Sequence, residues 1–214
     1  RDGCDSDFRL VSYAKRLPDD IETFEPLRDR LERRPEFVDR FSDEIATELS
    51  SVHRPDVVGL TVPFPGSLLG ALRIARRLKA LNPAVQTILG GGWVNTTLRH
   101  LTDPGIFDYV DFITLDDGER PLQCVLELLQ GQREEQGLLR TFVRRGGRVV
   151  YVNDAAEHDV PFAKSGAPTY RGLPLHQYFS DRPLRLSRHD LERTRWNKLT
   201  LAHGCYWKKC TFCD

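Results

Sequence analysis

Apolar positions along the chain change period several times, and those changes mark out the elements. Residues 1–35 are charged and weakly patterned, with a short strand expected over Phe8–Tyr13. Phe37, Phe41, Ile45, Leu49 and Val52 then recur at helical spacing, which predicts an amphipathic helix over roughly 36–51. Asp56 to Val62 is a short, nearly continuous apolar run, the pattern of a strand buried on both faces. Pro63–Gly66 reads as a turn, and Leu68, Leu72, Ala75 and Leu78 mark a helix that stops at Asn82-Pro83. Val85–Leu89 predicts the next strand, closed by Gly90-Gly91-Gly92 and followed by a short helix near 95–101. Tyr109–Leu115 predicts a third strand. Pro121, Leu122, Val125, Leu126 and Leu129 predict a third helix, closed by Gly131, with Cys124 a small buried hydrophobe.

Three strand–helix units in succession predict an α/β layered domain on a parallel sheet. Residues 139–153 alternate around Arg145-Gly146-Gly147-Arg148 and predict a β-hairpin. Residues 154–194 hold four prolines without periodicity and read as an extended surface linker. Lys198–Leu201 predicts a further strand. The expected organisation is therefore a domain over 1–153, a linker over 154–194 and the start of a second domain over 195–214.

Composition narrows the classes. Lys plus Arg and Asp plus Glu are both 31 in 214 residues, so net charge gives no case for nucleic acid as a partner. No apolar run approaches the roughly 20 residues of a membrane span, and no signal peptide is evident. The chain lacks Met and stops one residue beyond Cys213, which reads as part of a longer protein that would not turn over by itself. The five cysteines are odd in number, and Cys205, Cys210 and Cys213 crowd one end. That arrangement suits metal ligation in a reducing, cytoplasmic setting better than disulfides.

Three thiolates on one short loop can converge on a soft metal centre and leave one coordination position open. Spacing alone leaves the metal open. Structural zinc commonly takes two pairs of ligands, and only Cys210 and Cys213 form such a pair. The C-x4-C-x2-C spacing is also that of plant-type two-iron ferredoxins, which use a fourth cysteine further on.

The segment His203-Gly204-Cys205-Tyr206-Trp207-Lys208-Lys209-Cys210-Thr211-Phe212-Cys213-Asp214 closely resembles the cluster loop of radical S-adenosylmethionine (SAM) enzymes. The usual form of that loop has three residues between the first two cysteines. Four stand here, as in a subgroup with a Cys-Tyr-Trp-x-Lys-Cys-x-Phe-Cys loop. The resemblance covers about residues 196–214. It implies that Cys205, Cys210 and Cys213 hold a 4Fe-4S cluster, that Phe212 packs near the adenine of SAM, and that Lys198–Leu201 is the first barrel strand. It further implies reductive cleavage of SAM to a 5′-deoxyadenosyl radical, with an electron donor such as flavodoxin or ferredoxin and a small-molecule or peptide substrate.

The order of α/β domain, proline-rich linker and cluster loop also resembles radical SAM enzymes with an N-terminal, Rossmann-like cobalamin-binding domain. On that resemblance Thr61, Val62, Gly90, Gly91, Gly92 and Glu119 lie at the carboxyl ends of successive strands and would face cobalamin. The Asp-x-His-x-x-Gly motif that supplies a cobalt ligand in one cobalamin family is absent, so binding would proceed without that histidine. A glycine triplet after a strand is equally a tight turn into a helix. Methyl transfer is one reaction this pairing allows. Asp116, Asp117 and Glu119 read most simply as helix N-terminal capping, and the six histidines as surface or hydrogen-bonded residues.

Overall fold

The computed structural model describes residues 24–33, 37–167 and 169–174. The chain divides into two compact units, the first ending at Asp159 and the second beginning at Val160. The strand expected at 8–13, the strand expected at 198–201 and the cysteine loop all lie outside the described residues.

The first unit is α/β, built on an open mixed sheet of five described strands in the order β1-β2-β3-β4-β5. β1 (Val57–Thr61), β2 (Gln86–Gly90) and β3 (Phe112–Thr114) run parallel, while β4 (Thr141–Arg145) is antiparallel to β3 and β5 (Arg148–Val152) antiparallel to β4. The parallel start matches the strand–helix rhythm. The predicted hairpin is present and extends the same sheet, making it mixed. Gly146 and Gly147 carry φ of +53° and +76° in its two-residue turn, a conformation that favours glycine.

Alternation along the strands gives each face its own core. Leu60, Leu89, Ile113 and Phe142 point to one face. There they meet α1 (Glu25–Glu32), α3 (Ser67–Leu81), α4 (Gly92–Thr97) and the 3-10 turn Pro104–Asp108. Ile88, Phe112, Val143 and Val152 point to the other face and meet α5 (Glu119–Leu129) through Cys124 and Val125. Fully burying a side chain such as Leu72 or Leu89 contributes about 1.5–3 kcal/mol.

Several expectations change at this level. β1 is not buried on both faces: Gly59 and Thr61 are exposed and the other three residues are half-buried. Positions 57, 59 and 61 share the face on which α5 packs, and β1 is an edge of the described sheet. The third strand is three residues long, because the chain arrives through a 3-10 turn and not an extended approach. α1 was not foreseen. Its Leu27 and Leu31, with Phe24 before it, are buried among core residues of a segment whose charge dominates the sequence.

The helix expected over 36–51 is α2 (Phe37–Glu48), continued by a π-helical turn over Leu49–His53. Its buried positions include Asp39, Ser42 and Ala46, whereas Phe41 is 59% and Ile45 43% exposed. The face turned to α3 is the one whose short side chains let two helices approach. It also carries the carboxylate that answers a buried arginine. Arg73 Nε lies 2.6 Å from Asp39 Oδ1 with both side chains under a tenth exposed. The contact is one of charge, because the angle at Arg73 Nε falls outside hydrogen-bond geometry.

A second set of charges closes the far end. Arg120 and Arg133 each bind both Glu127 and Glu157, with contacts of 2.6–2.8 Å. This joins α5, the loop after it and the segment after β5. The hydrogen bonds from Arg120 and Arg133 hold the Glu157 carboxyl down at about 2, from an ordinary value of 4.5, and they lower Glu127 as well. Both guanidinium groups are raised in return, each first by its bond to Glu157.

Two outcomes follow from these pairs. Asp39→Ala leaves the Arg73 charge buried without its partner and is expected to cost about 3–5 kcal/mol by urea unfolding, while the double change Asp39→Leu with Arg73→Met comes out near neutral. Glu157 is depressed in the folded state, so its stabilisation is complete above its ordinary pKa of 4.5 and fades as pH falls toward about 2. Glu157→Gln should therefore lower the urea midpoint at neutral pH, and the gap to the parent should shrink across that acid window. A gap that stays constant with pH would show that ionisation of Glu157 does not contribute.

Candidate functional site

Parallel strands β1, β2 and β3 deliver three loops to one edge of the sheet, at their carboxyl ends. In α/β sheets this is the edge where ligands bind. The described strands follow one another without a reversal of order, so the rim is defined by its loops and not by a switch-point crevice.

The first loop leaves β1 through Thr61, which is exposed, and Val62, which is fully buried. Val62 N donates to Gly90 O at 2.7 Å, and Trp93 N donates to Val62 O at 3.1 Å. Val62 thereby carries the β1–β2 pairing one residue past the strands and ties down the start of α4. Gly91 sits directly beneath it with φ of +115°. A Cβ there would lie 2.7–2.9 Å from the Val62 backbone, contacts that real side chains do not make. At Gly90 a Cβ would stand 3.2 Å from Thr114 Oγ1, and at Gly92 it would meet only Pro63 O, at 3.7 Å. The glycines thus have different reasons. Gly91 is required by the crossing of two backbones and Gly90 faces a strand neighbour. Gly92 is exposed and opens onto the rim. Phe64, two residues beyond Val62, is 55% exposed.

The third loop, after β3, is held by charge. Asp116 has φ of +60°. The Asn95 side chain on α4 grips it at both backbone groups: Asn95 Oδ1 accepts from Asp116 N at 2.9 Å, and Asn95 Nδ2 donates to Asp116 O at 3.5 Å. The Asp116 carboxylate pairs with Arg99 and lies 3.4 Å from Arg140 Nε. Arg140 also binds Asp159 and donates to Asp117 O. Burial pulls the Arg140 guanidinium down, but its hydrogen bond to Asp159 and the charges of Asp159 and Asp116 outweigh that and leave it raised. Tyr151 on β5 is raised by burial and, next, by the Asp116 charge.

The capping expected of Asp116, Asp117 and Glu119 takes another form. Gly118 is the N-cap of α5, and as a glycine it supplies no side-chain cap. Asp116 serves an ion-pair cluster instead, while Glu119 occupies the first turn, where the helix dipole favours a carboxylate. Asn95, Arg99 and Arg140 were not singled out from the sequence. They come from α4, the segment after it and the lead-in to β4, so no local spacing joins them.

Cys124 is fully buried, and burial pushes its thiol up, consistent with a packing residue and not a reactive one. Among the described residues no group of three or more His, Cys, Asp or Glu side chains is placed to hold a metal ion. Cys205, Cys210, Cys213 and Phe212 lie outside those residues. No helix among the described residues is long and apolar enough to cross a membrane. No family model matches the chain, and no curated protein matches it.

Gly91→Ala is expected to cost more than about 2 kcal/mol, because it combines a positive φ with a backbone collision. Gly92→Ala, at an ordinary backbone contact, should cost under about 1 kcal/mol. Thermal unfolding of the two variants side by side checks the contrast, and equal losses would contradict it.

Proposed function

We propose that this chain carries the cluster loop of a radical SAM enzyme, preceded by a Rossmann-like domain of the cobalamin-binding type. The observation that carries the proposal is the loop Cys205-x4-Cys210-x2-Cys213 with Phe212 before its last cysteine. Support for the upstream assignment comes from three loops at one edge of a parallel sheet, two of them offering exposed small residues at Thr61 and Gly92.

The donor chemistry suits the groups proposed. Three thiolates are soft ligands that favour iron–sulfur over hard cations, and three leave one position of a four-iron cluster for a substrate ligand. At the rim, Thr61, Gly92 and Glu119 are exposed and would meet a flat group, while Val62, Gly90 and Gly91 form the packed crossing behind them. None of the six is a histidine, so cobalamin held there would take no imidazole from these residues. When bound, the cluster supplies an electron to the sulfonium of SAM, and cobalamin supplies a transferable methyl group.

The protein's own part is positional. Cys205, Cys210 and Cys213 fix the cluster on a loop. Phe212 gives the adenine an apolar face. The Val62–Gly91 crossing keeps the rim's first two loops in register, and the Asn95 and Arg140 contacts hold the third. The enzyme is read as acting on a small molecule or peptide, with flavodoxin or ferredoxin as electron donor.

Anaerobic iron–sulfur reconstitution tests this. A brown protein is expected, whose reduced-cluster EPR signal changes on adding SAM. Cys205→Ala, Cys210→Ala and Cys213→Ala should each lose the cluster, and Cys124→Ala should keep it. An EPR signal indifferent to SAM would replace the proposal with an electron-transfer module, and a colourless zinc-loaded protein with a structural metal site. Cobalamin titration tests the upstream domain separately. Absence of both a spectral shift and co-purified cobalamin would reduce that domain to a scaffold.

A further inference from the structure

β1 has β2 on one side and, among the described residues, no strand on the other. Val62 N donates to Gly90 O and Gln86 N to Asp56 O, so the even-numbered residues of this stretch turn their backbone groups toward β2. Alternation then turns the N–H and C=O of Val57, Gly59 and Thr61 to the outer edge. Edges of this kind are ordinarily blunted by a charge or a proline, or are covered. Val57-Val58-Gly59-Leu60-Thr61 holds neither charge nor proline.

A second apolar surface adjoins this edge. Leu49 of the π-helical turn and Val58 of β1 pack against one cluster with Ala46 of α2. Ile45 and Val52, four residues before Leu49 and three after it, continue its stripe and are 43% and 67% exposed. The stripe is acidic as well as apolar. Glu48 stands three residues from Ile45 and four from Val52, with Glu44 one turn before it, and both are exposed. α3 takes up the neighbouring face of α2, the one with Asp39, Ser42 and Ala46.

We propose that one segment of this chain covers both surfaces: residues 8–13, outside the described residues, pair as a further strand with the outer edge of β1 and pack on Ile45 and Val52. Phe8-Arg9-Leu10-Val11-Ser12-Tyr13 has the residue types of a strand. Phe8 and Leu10 share a face, which turns to α2 with Val58 and Leu60. Charge selects this occupant. Residues 8–17 carry Arg9, Lys15 and Arg16 and no acid, which suits Glu44 and Glu48. A second copy docked by the same surface sets those carboxylates against their own kind. The tether also reaches. Phe24 is held at the approach to β3, its N–H on Asp103 and its ring 5.6 Å from that of Tyr109. The outer side of β1 is three strand spacings from β3, about 14 Å across, and a strand adds about 17 Å along. Residues 14–23 extend to about 33 Å. With this strand in place β1 is interior, and the first rim loop leaves an element paired on both sides. The pairing is independent of what Cys205, Cys210 and Cys213 bind.

Amide hydrogen exchange in the ¹⁵N-labelled full chain tests this. The amides of Val57, Gly59 and Thr61 should exchange at least about tenfold slower than unprotected amides. Leu10→Asp sets a carboxylate against Glu48. It should return those three amides to unprotected rates while Val58 and Leu60, bonded to β2, stay slow. Fast exchange at the three amides in the parent overturns the proposal, as does slow exchange that Leu10→Asp leaves unchanged. Protection that falls on dilution of the parent assigns the edge to a second copy and overturns it equally. If Leu10→Asp also speeds Val58 and Leu60, the variant has lost the sheet, and the parent decides. Cross-strand NOEs between residues 8–13 and residues 57–61 are then expected, and their absence overturns the pairing.

Discussion

The arrangement of the carboxyl edge depends on one backbone crossing. Val62 continues the β1–β2 ladder by donating to Gly90 O, and its own carbonyl accepts from Trp93 N, so a single peptide joins the end of β1, the end of β2 and the start of α4. The crossing is possible only because Gly91 has no Cβ to meet the Val62 backbone. Downstream of that point, α4 is committed in direction. Asn95 then reaches Asp116, which fixes the loop after β3 to the same helix. The side chain of Trp93 is carried into the core beside α1.

Charge is placed where the layers need fastening. The Asp39–Arg73 pair is buried between α2 and α3, where opposite charges at 2.6 Å offset part of each other's desolvation. The Arg120, Glu127, Arg133 and Glu157 set is more exposed and binds segments distant along the chain. The first fixes which face of α2 meets α3, and the second fixes where the chain leaves the sheet after β5. The rim cluster of Arg99, Asp116 and Arg140 works by the same logic beside the loops that would meet a ligand.

Much of the sheet's layout was legible in the sequence because it is a matter of local period. The nearly continuous apolar run at 56–62, the strand pattern at 85–89, helical spacing at 68–78 and 121–129, and the Gly146-Gly147 turn each report their own element. What was misread depends on neighbours. The apolar stripe of Phe41 and Ile45 suggested a core face, yet the helix buries Asp39, Ser42 and Ala46 because α3 offers Arg73 opposite. β1 reads as doubly buried by composition, yet it borders the region that α5 does not cover. α1 went unseen because two leucines and a phenylalanine among charges carry little periodic signal. Thr61, Val62 and Gly90 to Gly92 were found because strand ends can be located from sequence. Asn95, Arg99 and Arg140 were missed because they converge from separate elements.

The sequence by itself determined the α/β class, the placing of three loops at one strand edge and the thiolate spacing from which the proposed chemistry comes. Each is a property of short stretches, where residue type and period act without reference to the rest of the chain. Only the tertiary structure decided that Gly91 serves a backbone crossing, that Asp116 answers Arg99 and Arg140 in place of a helix end, and that a charged residue of α2 faces the core. Those outcomes depend on which atoms come within a few ångströms across the fold. A steric collision or an ion pair has no energy until both partners are in place.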